Sequence, residues 1–212
     1  MGGRPVSAGL LISLEGLDGV GKTTQIERLA SWIRDGHGEV KAVREPGGTA
    51  FGEALRDLVL HRIEAQSALA EFLVFAAARA ELMQTVVLPA LSQGAIVLMD
   101  RFIDSSVAYQ AFGHGLDVDT VVAINHIVTQ GRKPNLTVWL HGQPFATEDR
   151  DRMEQRNSAY FARVAAGYAW LVEQEPERFL VVDSGQNPDI IFDTLRTRIH
   201  RLLNRTKKGG EG

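Results

Sequence analysis

The amino-acid sequence predicts an α/β protein built on a parallel, doubly wound sheet. Its apolar residues gather in short runs that are continuous rather than alternating, as is typical of strands covered on both faces. The five runs are residues 10–14, 39–43, 95–99, 136–140 and 179–182. Helix-patterned segments separate and follow them, near residues 23–35, 52–60, 67–92, 117–130, 157–174 and 188–204. Because strands alternate with helices, we expect ligands at the carboxyl ends of the strands.

Local signals justify the element boundaries in chain order. A glycine-rich turn at 16–21 divides the first strand from the first helix, and Pro46 with two glycines ends the second strand in an irregular turn. Asp117 has the residue type of an N-cap for the helix that follows it. Asn187 is the predicted N-cap of the last helix, with Pro188 at the first helical position.

The composition suits one soluble globular domain that spans residues 1–212. Apolar residues make up 44% and charged residues 23%, both ordinary for such a protein. The net charge is −3, so no global field attracts nucleic acid or an anionic membrane, and we expect neither as a partner. The chain has no cysteine, which excludes disulfides, thiolate metal sites and a thiol nucleophile and agrees with a cytoplasmic location.

We expect neither a targeting segment nor a membrane span. Residues 1–9 lack the apolar core of a signal peptide. The most apolar helical stretch, residues 69–78, is interrupted by Glu71 and closed by Arg79, which makes it too short to cross a bilayer. Residues 205–212 are polar and glycine-rich, and we expect this tail to fray.

A phosphate-binding loop at residues 16–23 is the most informative motif. It fits the pattern G-x-x-x-x-G-K-[ST] and lies between a predicted strand and a predicted helix, the context that such a loop requires. Its glycines allow backbone N–H groups to curl around a β-phosphate, and the following helix points its positive end at the same group. Lys22 then reaches the β- and γ-oxygens, and the Thr23 hydroxyl ligates Mg²⁺. The residues predicted to bind a nucleoside triphosphate are Gly16, Leu17, Asp18, Gly19, Val20, Gly21, Lys22, Thr23 and Thr24.

Charged residues follow two further strands. Asp100 comes directly after the third strand, where a Mg²⁺-organising aspartate belongs, although an aspartate that caps the next turn has the same position. Arg101 beside it points a cation at a transferring phosphate. Arg44 and Glu45 follow the second strand, and a lone pair of this kind is usually a solvated ion pair. Arg56 adds a second guanidinium to an anion site one helix further on.

Two groups are candidates for binding a planar base. Phe75 and Arg79 are four residues apart on one helix face, so they offer a ring to stack on and donors for a base edge. Spacing alone, however, favours Phe75 as a core residue and Arg79 as an exposed one. Tyr109 and Gln110 follow Ser106 by three and four residues, and they lie on one side with it if this segment is helical.

Residues 148–156 are dense in charge and contain the arginines Arg150, Arg152 and Arg156. Such a segment is normally a solvated helix surface. In an enzyme that transfers phosphate it is alternatively a lid that closes over the donor and excludes water.

Taken together, these segments resemble the thymidylate kinase family. The turn Arg-Glu-Pro-Gly-Gly-Thr, combined with Asp-Arg-Phe and the Ser-Ser…Tyr-Gln run, is highly specific, whereas the phosphate loop alone is shared with a wider group. The matching segments are residues 15–24, 44–49, 100–102, 104–106, 108–110, 134–137 and 151–154, and the resemblance spans about residues 11–200.

The resemblance implies the three-layer fold of the P-loop nucleoside monophosphate kinases, with a five-stranded parallel sheet, helices on both faces and a short lid at about 142–156. It implies a homodimer that uses ATP and Mg²⁺ to phosphorylate dTMP to dTDP in dTTP biosynthesis. The implied catalytic residues are Lys22, Arg101, Arg150 and Arg152, and the implied metal ligands are Thr23 and Asp100. The residues implied to bind dTMP are Asp18, Arg44, Glu45, Arg56, Phe75, Arg79, Arg101, Ser105, Ser106, Tyr109 and Gln110.

Particular roles also follow from the resemblance. The dTMP phosphate is held by Arg44, Arg56 and Arg101. Phe75 stacks on thymine and Arg79 meets a ring carbonyl, while Ser106 and Gln110 read the base edge. The phosphate loop carries no arginine before its lysine, which resembles the bacterial subtype whose lid arginines supply the catalytic cation.

One segment departs from the family pattern. The stretch from 141 to 150 is shorter by about two helical turns, and Gly142 and Pro144 disfavour an early helix start. Three alternatives therefore stay open: a kinase of another nucleotide or a deoxynucleoside, a nucleotide-dependent switch, and a relic that binds dTMP but turns over poorly. The switch is disfavoured because the sequence lacks an Asn-Lys-x-Asp guanine reader.

Overall fold

Five parallel strands form the centre of the computed structural model, which describes residues 9–62, 67–142 and 151–209. The strands are β1 (Leu10–Glu15), β2 (Val40–Arg44), β3 (Ile96–Asp100), β4 (Leu136–His141) and β5 (Phe179–Asp183). Their order across the sheet is β2-β3-β1-β4-β5, and each pairing is parallel. The predicted strands are confirmed, with ends that shift by one residue at most.

The described helices begin and end mostly where the sequence pattern places them. They are α1 (Lys22–Arg34), α2 (Ala50–Asp57), α3 (Ala68–Leu82), α4 (Leu88–Ser92), α5 (Ile103–Ser106), α6 (Val118–Val128), α7 (Asp151–Gln174) and α8 (Pro188–Gly209). Wider π-helical turns at Leu58–Arg62, Met83–Val87 and Val107–Gly113 continue α2, α3 and α5. Both predicted N-caps are confirmed, since Asp117 accepts from the Thr120 N–H at 2.8 Å and Asn187 from the Asp189 N–H at 2.8 Å.

Two helix boundaries differ from the prediction by several residues, and one helical segment was not among the predicted helices. α7 begins at Asp151 rather than near 157, because its charge-dense first turns carry no apolar stripe that would mark a helix. α8 continues beyond residue 204 to Gly209. Residues 103–113 form α5 and its π-helical turn, and most of them are buried. A helix buried on most sides lacks the polar and apolar faces by which sequence analysis recognises helices.

The two edge strands are more exposed than predicted, since the sequence pattern indicated strands buried on both faces. β1, in the middle of the sheet, is buried throughout. β2 exposes Lys41 and Ala42, and β5 exposes Val181 and Asp183. Both are edge strands, each with a strand neighbour on one side only, so this correction follows from their position in the sheet.

Helices pack on both faces of the sheet and confirm the predicted three layers. On one face, the β1 side chains Leu10, Ile12 and Leu14 pack in one apolar cluster with residues of α1 and α8. On the opposite face, Leu11 packs against the end of α3 and the π-helical turn after it. Trp139 of β4 is in register with Glu15 and packs on this second face with residues of α6 and α7.

The apolar helical run Ala68–Ser92 is 25 residues long and passes the length and composition test for a membrane span among the described residues. The prediction that this stretch is too short was therefore wrong, because α3 continues through a π-helical turn into α4. Its side chains Phe72, Leu82, Met83 and Val87 are fully buried in the core. Burial in the core accounts for these four side chains, whereas Leu69 and Leu73 of the same run are exposed.

The second face of β1 also carries buried polar side chains. Ser13 and Glu15 both have no exposed surface. The Ser13 and Thr137 hydroxyls hydrogen-bond at 3.1 Å, and the Thr137 hydroxyl donates to Asp104 at 2.8 Å. Arg178 completes this network with an ion pair of 2.7 Å to Asp104. The core beneath the carboxyl end of the sheet is therefore polar and hydrogen-bonded.

Candidate active site

The phosphate loop joins the carboxyl end of β1 to α1, as the sequence predicts. Gly16 has φ 137°, and a Cβ there would lie 2.5 Å from the Leu140 carbonyl oxygen, so only glycine fits. Gly21, at φ 92°, is the N-cap of α1, whose first turn has no acidic residue. Because the first N–H groups of a helix lack intrahelical partners, this turn presents donors and a positive dipole end to an anion.

Lys22 opens α1 and is almost fully buried. Its Nζ donates to the Leu17 carbonyl at 2.7 Å and to the Gly16 carbonyl at 3.3 Å. Burial first, and repulsion from Arg101 second, lower the pKa of Lys22 to about 8. An anion placed between the two cations would remove that repulsion, so the site is electrostatically suited to a polyphosphate.

The two predicted metal ligands are in contact. Thr23 Oγ1 donates to Asp100 Oδ2 at 2.9 Å. Hard oxygen donors of this kind suit Mg²⁺, which in nucleotide sites takes its other ligands from phosphates and water. Within the described part of the chain, no cluster of three or more His, Cys, Asp or Glu side chains could hold a metal by itself. The residues present therefore fit a Mg²⁺ ion that arrives with a nucleotide.

Arg101 has an unusual backbone conformation directly after β3. Its φ of 69° is left-handed, a region that costs free energy for any residue but glycine. The guanidinium lies 4.8 Å from the centre of the Tyr109 ring, and its Nη2 donates to Asp18 at 2.7 Å and to the Tyr109 hydroxyl at 3.2 Å. The turn thus directs this cation towards the phosphate loop, as the sequence predicts for a phosphate-binding arginine.

A cavity of about 200 Å³ opens beside this arginine. Its lining includes all but one of the residues predicted for dTMP, together with Pro46 and Leu60, which sequence analysis missed. The lining residues are Asp18, Glu45, Pro46, Arg56, Leu60, Phe75, Arg79, Arg101, Ser105, Ser106, Tyr109 and Gln110. Phe75 is half-buried rather than sealed in the core, so the expectation drawn from its spacing alone was wrong.

Arg79 and Glu45 form a buried ion pair at the floor of the cavity. Glu45 Oε2 lies 2.7 Å from Nε and 2.6 Å from Nη2 of Arg79, and both side chains are at most 5% exposed. Burial raises the pKa of Glu45, and the Arg79 charge opposes that rise. The expectations of an exposed Arg79 and of a solvated pair between Arg44 and Glu45 were therefore wrong.

The remaining donors of Arg79 are also engaged. Nη1 donates to Ser106 Oγ at 3.0 Å and to Asn125 Oδ1 at 2.5 Å, and Nη2 donates to the Phe102 carbonyl at 3.2 Å. With Nε and Nη2 also on Glu45, each of its five N–H groups has an acceptor nearby. A thymine carbonyl would have to displace one of these acceptors. In this structure Arg79 therefore has no N–H group available for the predicted contact with the ring.

Arg44 is the predicted dTMP residue that the cavity does not include. Its Nη2 donates to Glu53 Oε2 at 2.9 Å, and 56% of the side chain is exposed. Arg56 does line the cavity, where its Nη1 donates to the Pro46 carbonyl at 3.0 Å. The structure therefore brings Arg56 and Arg101 to one cavity and leaves Arg44 on the outer side of the turn.

The side chains of the predicted lid arginines are not among those that the structure describes. Arg150 lies outside the described residues, and so do the side chains of Arg152 and Arg156. Their predicted catalytic role stays a prediction.

A second, shallower depression of about 480 Å³ lies between β5 and α8. It contains none of the predicted site residues; the residues that line it are Leu180, Ile190, Asp193, Thr194, Thr197, Arg198 and Arg201. The smaller cavity is the better candidate because it adjoins the phosphate loop and concentrates polar groups in an enclosed space.

Sequence analysis missed residues that act from beneath the cavity. Asn125 accepts a hydrogen bond from Arg79, and the Tyr168 hydroxyl donates to Glu15 at 3.2 Å. Both contacts join segments far apart in the chain, so no spacing could have revealed them. Glu15 did carry a signal, because an acidic residue at the end of a buried strand requires partners.

The fold and this site define a class of protein. A phosphate loop at the switch point of a parallel sheet, a threonine–aspartate pair suited to Mg²⁺ and an adjacent cationic cavity are the parts of a P-loop nucleotide kinase. The two sites adjoin, so a triphosphate donor and an anionic acceptor would meet end to end.

Comparisons with known proteins identify the family. A family model described as thymidylate kinase matches residues 14–195. The thymidylate kinase of Chlorobaculum parvum is 37% identical over 209 residues, which cover 91% of this chain and 96% of that protein. That of Clavibacter sepedonicus is 42% identical over 203 residues, which cover 92% and 96%. The crystal structure of thymidylate kinase from Ehrlichia chaffeensis superposes with a TM-score of 0.73 at 33% identity, covering 82% of this chain and 93% of that one. The chain belongs to the thymidylate kinase family.

The buried pair predicts unequal effects of two substitutions. We expect Glu45→Ala to reduce the free energy of unfolding by about 3–5 kcal/mol, because it leaves the Arg79 charge buried and partly unpaired. The matched control is Asp193→Ala, which breaks an exposed pair with Arg196 and should cost less than about 1 kcal/mol. Urea unfolding of both variants measures the difference. Equal losses in the free energy of unfolding would show that the buried Glu45–Arg79 pair contributes no more to stability than an exposed pair.

Proposed function

We propose that this protein transfers the γ-phosphoryl group of ATP to the 5′-phosphate of dTMP and releases dTDP and ADP, a step of dTTP biosynthesis. One observation carries the proposal: Arg101 lines the acceptor cavity, and its Nη2 also donates to Asp18 of the phosphate loop at 2.7 Å. A single cation is therefore shared by the donor and acceptor sites. Membership of the thymidylate kinase family supports the choice of dTMP.

The chemistry assigned to these residues is positioning and charge neutralisation. An oxygen of the dTMP phosphate attacks the γ-phosphorus while the bond to the ADP oxygen breaks, and no covalent enzyme intermediate is needed. We assign Lys22 to the β- and γ-oxygens and Arg101 to the phosphate that is attacked. Bound Mg²⁺, held at Thr23 and Asp100, would neutralise charge on the triphosphate.

At the acceptor end, we assign the phosphate to Arg101 and Arg56, with Arg44 joining if it leaves Glu53. The apolar side chains of Pro46, Leu60 and Phe75 would cover the base. Gln110 and Ser106 would read its edge, since both line the cavity and Arg79 is committed to protein acceptors. Arg79 then acts chiefly by fixing Ser106 in place.

A coupled assay of ADP release with a panel of nucleoside monophosphates tests the acceptor. We expect dTMP to give the highest kcat/KM, and dUMP to fall below it by about 10- to 200-fold, because it lacks the methyl group that the apolar lining would contact. A preference for dCMP or dGMP would instead identify a kinase of another nucleotide. Tight binding of dTMP with very slow turnover would identify a weakly active relic with an incomplete lid.

The role of Lys22 gives a second prediction. We expect Lys22→Ala to lower kcat by about 100- to 1000-fold, or roughly 3–4 kcal/mol, while the protein stays folded, because it removes one preorganised contact to the developing charge. Lys133→Ala is the matched control, since Lys133 pairs with Glu175 on the surface at 3.1 Å. Turnover by Lys22→Ala close to that of the control would refute the assigned role.

We infer further that the protein forms a homodimer through α3 and α6. These helices run side by side, and Arg79 of α3 donates to Asn125 of α6. Just beyond their ends, Gln84 and Gln130 hydrogen-bond at 3.0 Å. Their outer surface exposes several large apolar side chains. These are Leu69, Leu73, Val122 and Ile127, which are 41%, 48%, 42% and 72% exposed. Exposed apolar side chains on two neighbouring helices favour a protein–protein interface at this part of the surface.

Light scattering after gel filtration measures the assembly state. We expect a dimer for the unmodified protein and a monomer for Leu73→Glu, because the substitution would bury a charge in the interface. Ile190→Glu serves as the control, as Ile190 is 56% exposed but lies on α8. A monomer at all concentrations of the unmodified protein would contradict the proposal.

We also propose a cytoplasmic enzyme whose partners are small nucleotides rather than nucleic acid or membranes. The net charge of −3, the absence of cysteine and the buried core contacts of the Ala68–Ser92 run support this view.

A further inference from the structure

Glu15 is a fully buried carboxylate directly beneath the candidate site. It is the last residue of β1, has no exposed surface, and does not line the cavity. Its Oε1 accepts from the Phe102 N–H at 2.9 Å. Its Oε2 accepts from the Ser105 hydroxyl at 2.5 Å and from the Tyr168 hydroxyl at 3.2 Å. All these donors are neutral groups.

Two of these donors flank Arg101. Phe102 follows it in the chain, so the bond to Glu15 stabilises the residue next to the left-handed φ of 69°. Ser105 contacts it in space, because Arg101 Nη1 donates to Ser105 Oγ at 3.2 Å. Glu15 therefore reaches both the backbone and the guanidinium of Arg101 through one intermediate group each.

In its ionised form, Glu15 also sets the direction of these hydrogen bonds. A serine hydroxyl carries one hydrogen. Because Ser105 gives that hydrogen to Glu15, its oxygen has only lone pairs to offer Arg101. A carboxylate at position 15 thus makes Ser105 an acceptor for the guanidinium.

Stability alone gives no reason to keep a charged group at this position. Within the described residues, no Arg or Lys nitrogen lies within ion-pair distance of Glu15. Burial first, and then the nearby Asp104, raise the pKa of Glu15 to about 7, although Arg101 and the hydroxyls of Ser105 and Tyr168 oppose the rise. Lys22 and Tyr109 are the other ionisable groups that interact with it. Natural proteins retain such costly groups mainly where function needs them.

We propose that Glu15 is a positioning residue, which holds the Arg101 guanidinium at the acceptor phosphate through Ser105 and the Phe102 N–H without touching substrate. The inference rests on the proposed function, because it assigns the acceptor phosphate to Arg101. It adds a residue whose contribution is the orientation of another side chain.

Glu15→Gln is the decisive substitution because it keeps the size of the side chain. The glutamine oxygen is needed for the Phe102 N–H, so its amide NH₂ faces Ser105 and turns that hydroxyl around. The Ser105 hydrogen then turns to the Tyr168 hydroxyl 3.0 Å away, and its oxygen has to accept from both the amide and Arg101, so it holds the guanidinium less tightly. We expect kcat to fall by about tenfold to a hundredfold, as for a misplaced catalytic group, with the KM for ATP unchanged.

The same variant has a second readout that a purely structural role would not produce. The raised pKa means that folded Glu15 binds more protons than unfolded Glu15 between about pH 4.5 and pH 7. Its contribution to the free energy of unfolding is thus greatest below that range and is lost as the pH rises through it. Glutamine does not titrate, so Glu15→Gln should gain stability relative to the unmodified protein from about pH 5 to about pH 7. A loss of stability that parallels the loss of kcat would overturn the proposal.

Ser105→Ala tests the link to Arg101 independently and covers the case in which Glu15→Gln fails to fold. It removes the intermediate hydroxyl but leaves the bond from Phe102 to Glu15. We expect a similar fall in kcat, and a double variant that is no worse than either single one, because both changes break the same connection. Fully additive losses would overturn the proposal.

Asp104→Asn is the matched control, since Asp104 is a second buried carboxylate but is bonded to Arg178 and Thr137 rather than to the Arg101 turn. We expect it to lose stability and to keep kcat within about twofold.

Arg101→Ala distinguishes a failure of the role proposed for Arg101 from a failure of the role proposed for Glu15. If Arg101→Ala retains turnover, the proposed function of Arg101 is wrong; if it is inactive while Glu15→Gln and Ser105→Ala are fully active, only the role of Glu15 is wrong.

Discussion

Positive charge fixed in place at the carboxyl ends of β1 and β3 is the constraint on which the rest of the structure depends. Two like charges about 4 Å apart repel by roughly 4 kcal/mol near a protein surface, and two nucleotide phosphates must approach more closely than that. The sheet order sets β1 beside β3, so the phosphate loop and the Arg101 turn meet. Repulsion between Lys22 and Arg101 helps to lower the pKa of Lys22, and an arriving anion relieves it.

Buried acidic side chains hold the arginines around the cavity in place. Glu45 neutralises Arg79, and Glu15 supports the turn that carries Arg101. Buried charges of this kind contribute little net stability, because desolvation offsets the attraction between them. The apolar clusters on both faces of the sheet supply that stability instead, which leaves the polar layer free to set geometry.

The arginines at the cavity therefore have two different roles. Arg79, with each N–H near a protein acceptor, is part of the framework of the cavity. Arg101 keeps a partly accessible guanidinium whose partners, Asp18 and Tyr109, lie at the cavity itself. The burial of Arg79 and its complete set of hydrogen bonds thus distinguish it from Arg101, although the sequence motifs mark both as nucleotide-binding arginines.

The sequence by itself determined the strand order in the chain, the phosphate loop and most residues of the cavity. The strands and the loop depend on local patterns, namely continuous apolar runs and glycines at a tight turn, whereas most cavity residues were implied by the resemblance of their segments to the family. Only the tertiary structure decided that Arg79 is buried, that Arg44 pairs with Glu53, and that Glu15 lies under Arg101. The contacts of Arg79 and Glu15 join side chains that the sheet brings together from distant parts of the chain. The free energy of burying a charge depends on such neighbours, and Ser106 is 27 positions from Arg79 while Ser105 is 90 positions from Glu15.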